Sequence, residues 1–457
     1  MDKVFLCAQK MKSILARLPA LTIGGCAVFP VALVAIIAQL FAAPLRRRLP
    51  DGVDLNIIGM LRHIAHLYEW TADDSWLPMQ RALQVLHSSS GNKLYETVFF
   101  SEHLKFQYPV TSLLPIEILG KAGVAGAIGL NTINLGLLLA NAIAVAALAY
   151  LIISGNVSPA LQGKWSSRER KRLALAVGFL ALTFYPLLRA CVLGQIQVWV
   201  DLLFTGAVLC WALGWRVCAG LLLGLASTIK PQFGLLFVWG ILWREWKFAG
   251  GFTIGFLPSA VVAIVLYGIH NSASYLSVLS FLASHGENFF ANNSINGVLN
   301  WYFSGMDSLR WDSQGFPPYN EVVRVGTLLS SFVFVLPVFI PPLLSAGRKA
   351  SLTYFGVAAI CTVVCSPIAW EHHYGILLPL YLIAIRNALQ GNAGHFRSMI
   401  FGALAVSWSL VANFIPMSLL LAHTKFVFVQ AYCFYGAVVL LGVLLATAPN
   451  ADRRSAR

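Results

Sequence analysis

Charge is scarce in this sequence. Asp, Glu, Lys and Arg make up only 11% of 457 residues, and acidic side chains are the scarcer kind, 18 against 32 basic ones. A soluble globular domain carries about twice that share of charge, so the composition excludes an ordinary water-soluble enzyme. Close cysteine pairs in loops are also missing. Cys7, Cys26, Cys191, Cys210, Cys218, Cys361, Cys365 and Cys433 all lie in or beside apolar runs. There they read as small core side chains, neither a disulfide framework nor a metal site. The chain has no Gly-rich phosphate loop, no Gly-Lys-Ser/Thr and no Asp-x-Asp. Those gaps argue against ATP-driven transport and against a cytoplasmic transferase fed by a metal-bound nucleotide sugar. Arg-Gly or aromatic-basic interleaving is absent too, which leaves no support for a nucleic-acid partner. No internal repeat suggests the inverted halves of a secondary transporter.

What remains is apolar. Hydrophobic residues make up 58% of the chain and recur in runs close to 20 long. A bilayer core needs roughly 20 apolar residues per helix, so the sequence predicts an all-α polytopic membrane protein, one domain over 1–457. A β-barrel would show short alternating segments instead. The expected spans are 19–43, 131–154, 173–192, 197–214, 217–229, 232–243, 248–268, 323–343, 351–366, 374–387, 398–416 and 426–446. The first follows Lys3, Lys10, Lys12 and Arg17 and is too long for the core of a signal peptide.

The formal charge of +14 sits mostly beside these runs, as the positive-inside bias of cytoplasmic loops requires. Placing 164–172, Arg216, Arg244–Lys247, Arg348–Lys349, Arg386–Arg397 and both termini inside closes the count at about 12 transmembrane helices. The piece 109–127, broken by Pro115, Gly120 and Lys121, then lies at the interface or re-enters. Arg46–Arg48 fall outside, against the rule. Long outer loops cover 44–130 and 269–322. The two short pieces 217–229 and 232–243 meet at Lys230-Pro231, and broken helices usually turn where they line a cavity.

On this topology the polar clusters share the outer face: Asp73-Asp74, Gly194-Gln195-Ile196-Gln197, Lys230-Pro231, Asn292-Asn293-Ser294 and Glu371-His372-His373. The last lies between strongly apolar runs, where ionisable residues are expensive and mark function. An outer carboxylate at Asp73 or Asp74 can act as general base toward an attacking hydroxyl; the plain alternative is helix capping. Lys230, Arg189, His372 and His373 can together hold a phosphate. The plain alternatives are a snorkelling lysine, an anchoring arginine and interfacial histidines. Adjacent histidines point apart and no third ligand lies near, so no metal is expected. Gln195 and Gln197 serve either sugar hydroxyls or neighbouring helices. Asp201 needs a partner if buried.

Taken in order, Asp73-Asp74, Leu94-Tyr95, Phe106-Gln-Tyr108-Pro109, Gly194-Gln195, Ala219-Gly-Leu-Leu-Leu-Gly224 before Lys230-Pro231, Asn293-Ser294 and Ser366-Pro-Ile-Ala-Trp-Glu-His-His373 resemble the GT87 family of GT-C glycosyltransferases. The resemblance spans about residues 70 to 375. It implies a multi-pass enzyme of the GT-C type, with no cofactor. The family takes a sugar, mannose being the first expectation, from a polyprenyl-phosphate carrier. It passes that sugar with inversion to a glycolipid or glycan acceptor outside the cytoplasm, in a bacterial inner (plasma) membrane, with membrane lipids around it. It implies Asp74, then Asp73, as catalytic base; the chemistry of the residues adds Lys230, His372, His373 and Arg189 for the donor phosphate, and Gln195, Gln197, Tyr108, Asn293 and Glu371 are expected at the substrate. Val110 stands where the family usually has a second proline after the tyrosine. A lipid phosphate is already a good leaving group, so a cationic cradle and one base suffice. The competing readings are a transporter or flippase for a lipid-linked or anionic solute, and a ligase that moves whole glycans. Asp74→Asn separates a base from a transport residue.

Overall fold

The computed structural model describes residues 57–65, 71–88, 91–157, 162–163, 165–344, 350–391 and 394–448. The expected first span and Arg46–Arg48 lie outside them. The described residues are helical, with no named strand; one isolated antiparallel bridge joins Asn292 to Trp370.

Among the described residues, four helices are long and apolar enough to cross a bilayer: Ala127–Ile153, Trp246–Tyr267, Glu321–Leu343 and Val427–Ala446. A fifth appears if Ser167–Ala181 and Tyr185–Val192, bent by 50°, form one broken span. Pro186 sits in the first turn of the second piece, and its missing N–H accounts for the break. This is a polytopic helical membrane protein, but the other expected spans among the described residues are helices shorter than a bilayer core. Arg216–Ile229 has 14 residues, about 21 Å of helix against a core of about 30 Å. The piece 109–127 is a 3-10 turn and the nine-residue helix Leu113–Lys121. The stretch 269–322, expected to be an outer loop, is itself partly helical, over Ile269–His285 and Ile295–Phe303.

Local sequence fixes the helix ends. Ser166 and Glu169 form a reciprocal capping box that starts Ser167–Ala181. Ser294 and Ser351 cap the helices that follow them through the N–H groups of Gly297 and Tyr354. Each satisfies one of the orphan amides of a first turn. Ile254, Leu257, Val265, Leu328, Phe332 and Val333 are exposed, a pattern stable only where the solvent is lipid.

Two helices pack backbone to backbone. Gly220 and Gly224 of Arg216–Ile229 face Gly251 and Gly255 of Trp246–Tyr267. A Cβ on Gly220 would come within 2.0 Å of the Phe248 carbonyl oxygen, and one on Gly251 within 2.1 Å of that of Val217. Small residues four apart let membrane helices approach this closely. Gly251→Val therefore forces the pair apart and is expected to cost about 1–3 kcal/mol or more. A lowered thermal unfolding temperature in detergent checks this, and an unchanged one refutes it.

Beside that seam Trp211, Trp239, Phe248 and Phe355 interlock, with ring centroids 5.1 to 6.1 Å apart. The Arg216 guanidinium lies 3.7 Å from the centre of the Trp211 ring. Arg216 begins the same helix whose other end is Lys230. The aromatic plug and the Lys230 turn thus stand at opposite ends of one helix, and a cavity opens at the Lys230 end.

Candidate active site

Asp73 and Asp74 precede the helix Trp76–Leu86, whose capping position is Ser75. Neither acid caps it with its side chain. The Ser75 hydroxyl is turned elsewhere: it donates to Gln195 Oε1 at 2.7 Å and accepts from the Ile196 amide at 3.1 Å. Two backbone bonds sew the acids to the 193–196 turn, from the Asp74 amide to the Leu193 carbonyl and from the Ser75 amide to that of Gly194, both 3.2 Å. The helix Ala127–Ile153 backs this junction. Asn131 donates to the Ala72 carbonyl at 2.8 Å and Asn134 to that of Gln195 at 3.0 Å. Gly194 has φ +68°, and a Cβ there would come within 2.3 Å of the Ala72 oxygen. Only glycine permits both the turn and the approach.

This stitching aims Asp74 into a cavity of about 1020 Å³. Its Oδ2 accepts from Gln195 Nε2, and Gln195 Oε1 accepts in turn from the Tyr108 hydroxyl at 3.1 Å. Asp74 is open to the cavity, yet the enclosing walls withdraw it from bulk water. That desolvation pushes its carboxyl above the ordinary carboxylate range, against the pull of Gln195 and Arg189. A higher pKa makes a stronger base.

The same cavity is lined by Arg189, Lys230, Glu371, His372 and His373, together with Asp73, Tyr108 and Gln195. Lys230 occupies an extended residue between two helices. It is 6% exposed, and its Nζ has no hydrogen-bond partner among the described residues. The same is true of Arg189 Nη1 and His373 Nδ1. Unpaired buried polar groups are costly, and the two cationic donors among them, Lys230 and Arg189, suit an anion. Burial first, then Lys230, holds both imidazoles well below the usual histidine range, and Arg189 adds to this at His372. Near neutrality they are therefore neutral N–H donors or acceptors, and the cavity's positive charge comes from the lysine and the arginine.

Three residues expected at the substrate are placed differently. Both Glu371 oxygens are taken, accepting from Tyr185 at 2.6 Å and Tyr432 at 2.5 Å, so its carboxylate ties three segments together at the cavity edge. Asn293 does not line the cavity. Its side chain accepts from the Cys433 amide at 2.9 Å, and its backbone pairs with Ala369. Gln197 is buried away from the cavity and donates to Asp201 at 2.7 Å.

The sequence reading missed Lys105, whose ammonium pairs with Glu287 at 2.6 Å and lies 4.1 Å from the Trp311 ring centre on the cavity wall. It also missed Asn131 and Asn134, though polar residues three apart on an apolar span were a usable signal. Nothing in the sequence pointed to Tyr185 or Tyr432. Among the described residues no three His, Cys, Asp or Glu side chains converge as a metal centre would need.

Compared with known protein families, residues 106–367 match glycosyltransferase family 87, more than half of the chain. The His pair falls just past the end of the match, and Asp74 lies well before its start. No curated protein is significantly similar to the chain.

Proposed function

Since the chain belongs to glycosyltransferase family 87, and is therefore a membrane glycosyltransferase, we propose that it takes a sugar from a polyprenyl-phosphate carrier and passes it to a glycolipid or glycan acceptor on the extracytoplasmic face of a bacterial inner membrane. Mannose is the first sugar to test. The observation that carries this reading is a single cavity in which Asp74, hydrogen-bonded to Gln195, shares the walls with two cations, Lys230 and Arg189, each with a side-chain nitrogen that has no hydrogen-bond partner among the described residues.

The proposed step needs no other chemistry. Asp74 takes the proton from the acceptor hydroxyl as that oxygen attacks the anomeric carbon. The bond from that carbon to the phosphate oxygen breaks, and its electron pair leaves with the carrier phosphate. Attack opposite the leaving group inverts the centre. The phosphate's second negative charge then develops against Lys230 and Arg189, with neutral His372 and His373 as hydrogen-bond partners. Fixed donors aimed at developing charge contribute most to such a step. The outward side is supported by the basic residues Arg216 and Arg244, which lie at the far ends of Arg216–Ile229 and Gly234–Leu242, the helices that flank Lys230.

The test is transfer of labelled mannose from synthetic polyprenyl-phosphate mannose to a crude lipid-acceptor extract by the purified chain. Transfer supports the class and the donor together. If no lipid-phosphate sugar serves while the carrier still binds, the flippase reading takes its place.

The acid side of the pH profile follows from Asp74. The base must be ionised, its folded pKa is raised, and so kcat/KM should climb with pH through a limb lying above the ordinary carboxylate value of about 4. A limb at or below that value would remove Asp74 as the base.

A further inference from the structure

One wall of the cavity has no part in the step above. Lys105, Phe289, Trp311 and Trp370 all line it, and none of them lies in a helix. The Trp311 ring centre stands 5.3 Å from that of Phe289, inclined by 60°, and 5.6 Å from that of Trp370, inclined by 71°. Three rings so inclined make a corner, and other contacts hold it. Lys105 pairs with Glu287 at 2.6 Å, both side chains buried, and its ammonium lies over the Trp311 and Phe316 rings, 4.1 and 4.6 Å from their centres. Trp370 is bridged to Asn292, and the Glu371 amide donates to the Ala291 carbonyl at 3.0 Å. A corner set before the ligand arrives lowers the cost of binding. Trp311 nevertheless keeps 36% of its surface exposed.

Chain neighbours tie this corner to the reacting groups. Lys105 and Tyr108 are three residues apart in a non-helical segment, so their Cα atoms are at most about 11 Å apart. The Tyr108 hydroxyl donates to Gln195, which in turn donates to Asp74. On the other side Trp370 directly precedes Glu371, His372 and His373. The lining also divides by chemistry. Ile229, Leu235, Leu279 and Leu282 line the cavity from three helices and suit a lipid chain. The loop wall instead sets Gln107 and Ser313 beside its aromatics. A sugar ring fits that second combination, because its C–H face packs on an electron-rich aromatic face while its hydroxyls need polar partners.

Resting on the transferase reading above, we infer that Trp311, Phe289 and Trp370 form the subsite for a sugar ring of the acceptor, so that the hydroxyl presented to Asp74 is carried on a carbohydrate and not on a bare lipid. The rings bind and orient, and make no bond to the reacting atoms. Lys105 and Glu287 are positioning residues that hold the indole of Trp311 in place.

The experiment is saturation-transfer NMR on the full chain in lipid nanodiscs, with empty nanodiscs subtracted. The probes are the methyl glycosides of mannose, glucose, galactose and arabinofuranose, with glycerol as a polyol that has no ring. At least one glycoside should take up saturation on its ring C–H protons, and glycerol should not. Trp311→Leu keeps bulk and removes the aromatic face, so it should weaken that binding about 3- to 10-fold, whereas Trp311→Phe should keep most of it. No ring-dependent uptake, or equal binding by Trp311→Leu, would mean an interfacial anchor and overturn the proposal.

Wild type supplies a second reading should Trp311→Leu fold poorly. Saturating aromatic protons should reach the sugar more strongly than saturating aliphatic methyls, and the reverse order overturns the proposal. In Asp74→Asn, polyprenyl-phosphate mannose should leave the glycoside bound; displacement would put the ring at the donor sugar and overturn it as well. Mannose transfer by wild type judges the functional reading separately. Glycoside binding without transfer from any lipid-phosphate sugar keeps the sugar subsite and sinks the donor reading, whereas transfer without glycoside binding does the reverse.

Discussion

Asp74→Asn should abolish sugar transfer while leaving donor binding intact. The amide has the shape of the carboxylate and can still accept from Gln195, so the network through Ser75 and Tyr108 survives. What it loses is the ability to take a proton. Loss of a positioned base typically costs 10²–10⁴-fold in rate, so kcat should fall by about that factor with little change in donor affinity. Asp73→Asn, whose acid lines the same cavity without the bond to Gln195, should have the smaller effect. An Asp74→Asn enzyme as fast as wild type would move the base to Asp73. The same variant tests the flippase reading, because a transporter that uses the cavity only to bind would scarcely respond.

Lys230→Met should be nearly as damaging, by a different route. Methionine fills the volume and removes the charge from the place proposed for the leaving phosphate. Losing one fixed donor at a developing oxyanion costs about 10²–10³-fold, so kcat/KM should drop by that order, with KM for the donor rising as well. Lys230→Arg should recover part of it, since charge is kept while the compact ammonium is not. The two variants therefore separate: one spares binding, the other does not. Unchanged kcat/KM in Lys230→Met would mean that the lysine only snorkels at a helix break.

Much of the architecture was legible because bilayer physics writes itself into composition. Apolar runs near 20 residues announce helices, and Lys230-Pro231 marks a break because proline cannot continue the helix it follows. The span count was less legible. Runs such as 217–229 are apolar enough to cross but form helices too short to do so alone, and run length does not say how a helix is tilted or capped by its neighbours. The glycine pairs Gly220/Gly224 and Gly251/Gly255 stood in the sequence throughout, yet their meaning depends on which helix faces them.

The candidate site divides in the same way. Residue type and position beside apolar runs were enough to single out Asp74, Arg189, Gln195, Lys230 and the His pair, because charges and amides there are rare and need a reason. The sequence could not say that Glu371 gives both oxygens to Tyr185 and Tyr432, or that Asn293 turns to the Cys433 amide. Those partners are 61 to 186 residues away, and no spacing rule reaches so far. Nor could it set Asp201 behind Gly375, or make the histidines neutral, since both follow from burial and from charges brought close by other helices. By itself the sequence determined the class of molecule and the chemical types available beside its apolar runs, because composition and hydrophobic run length act locally. The tertiary structure alone decided which of those side chains face a common cavity, which are consumed by one another, and what charge each carries, because desolvation and pairing depend on neighbours distant in the chain.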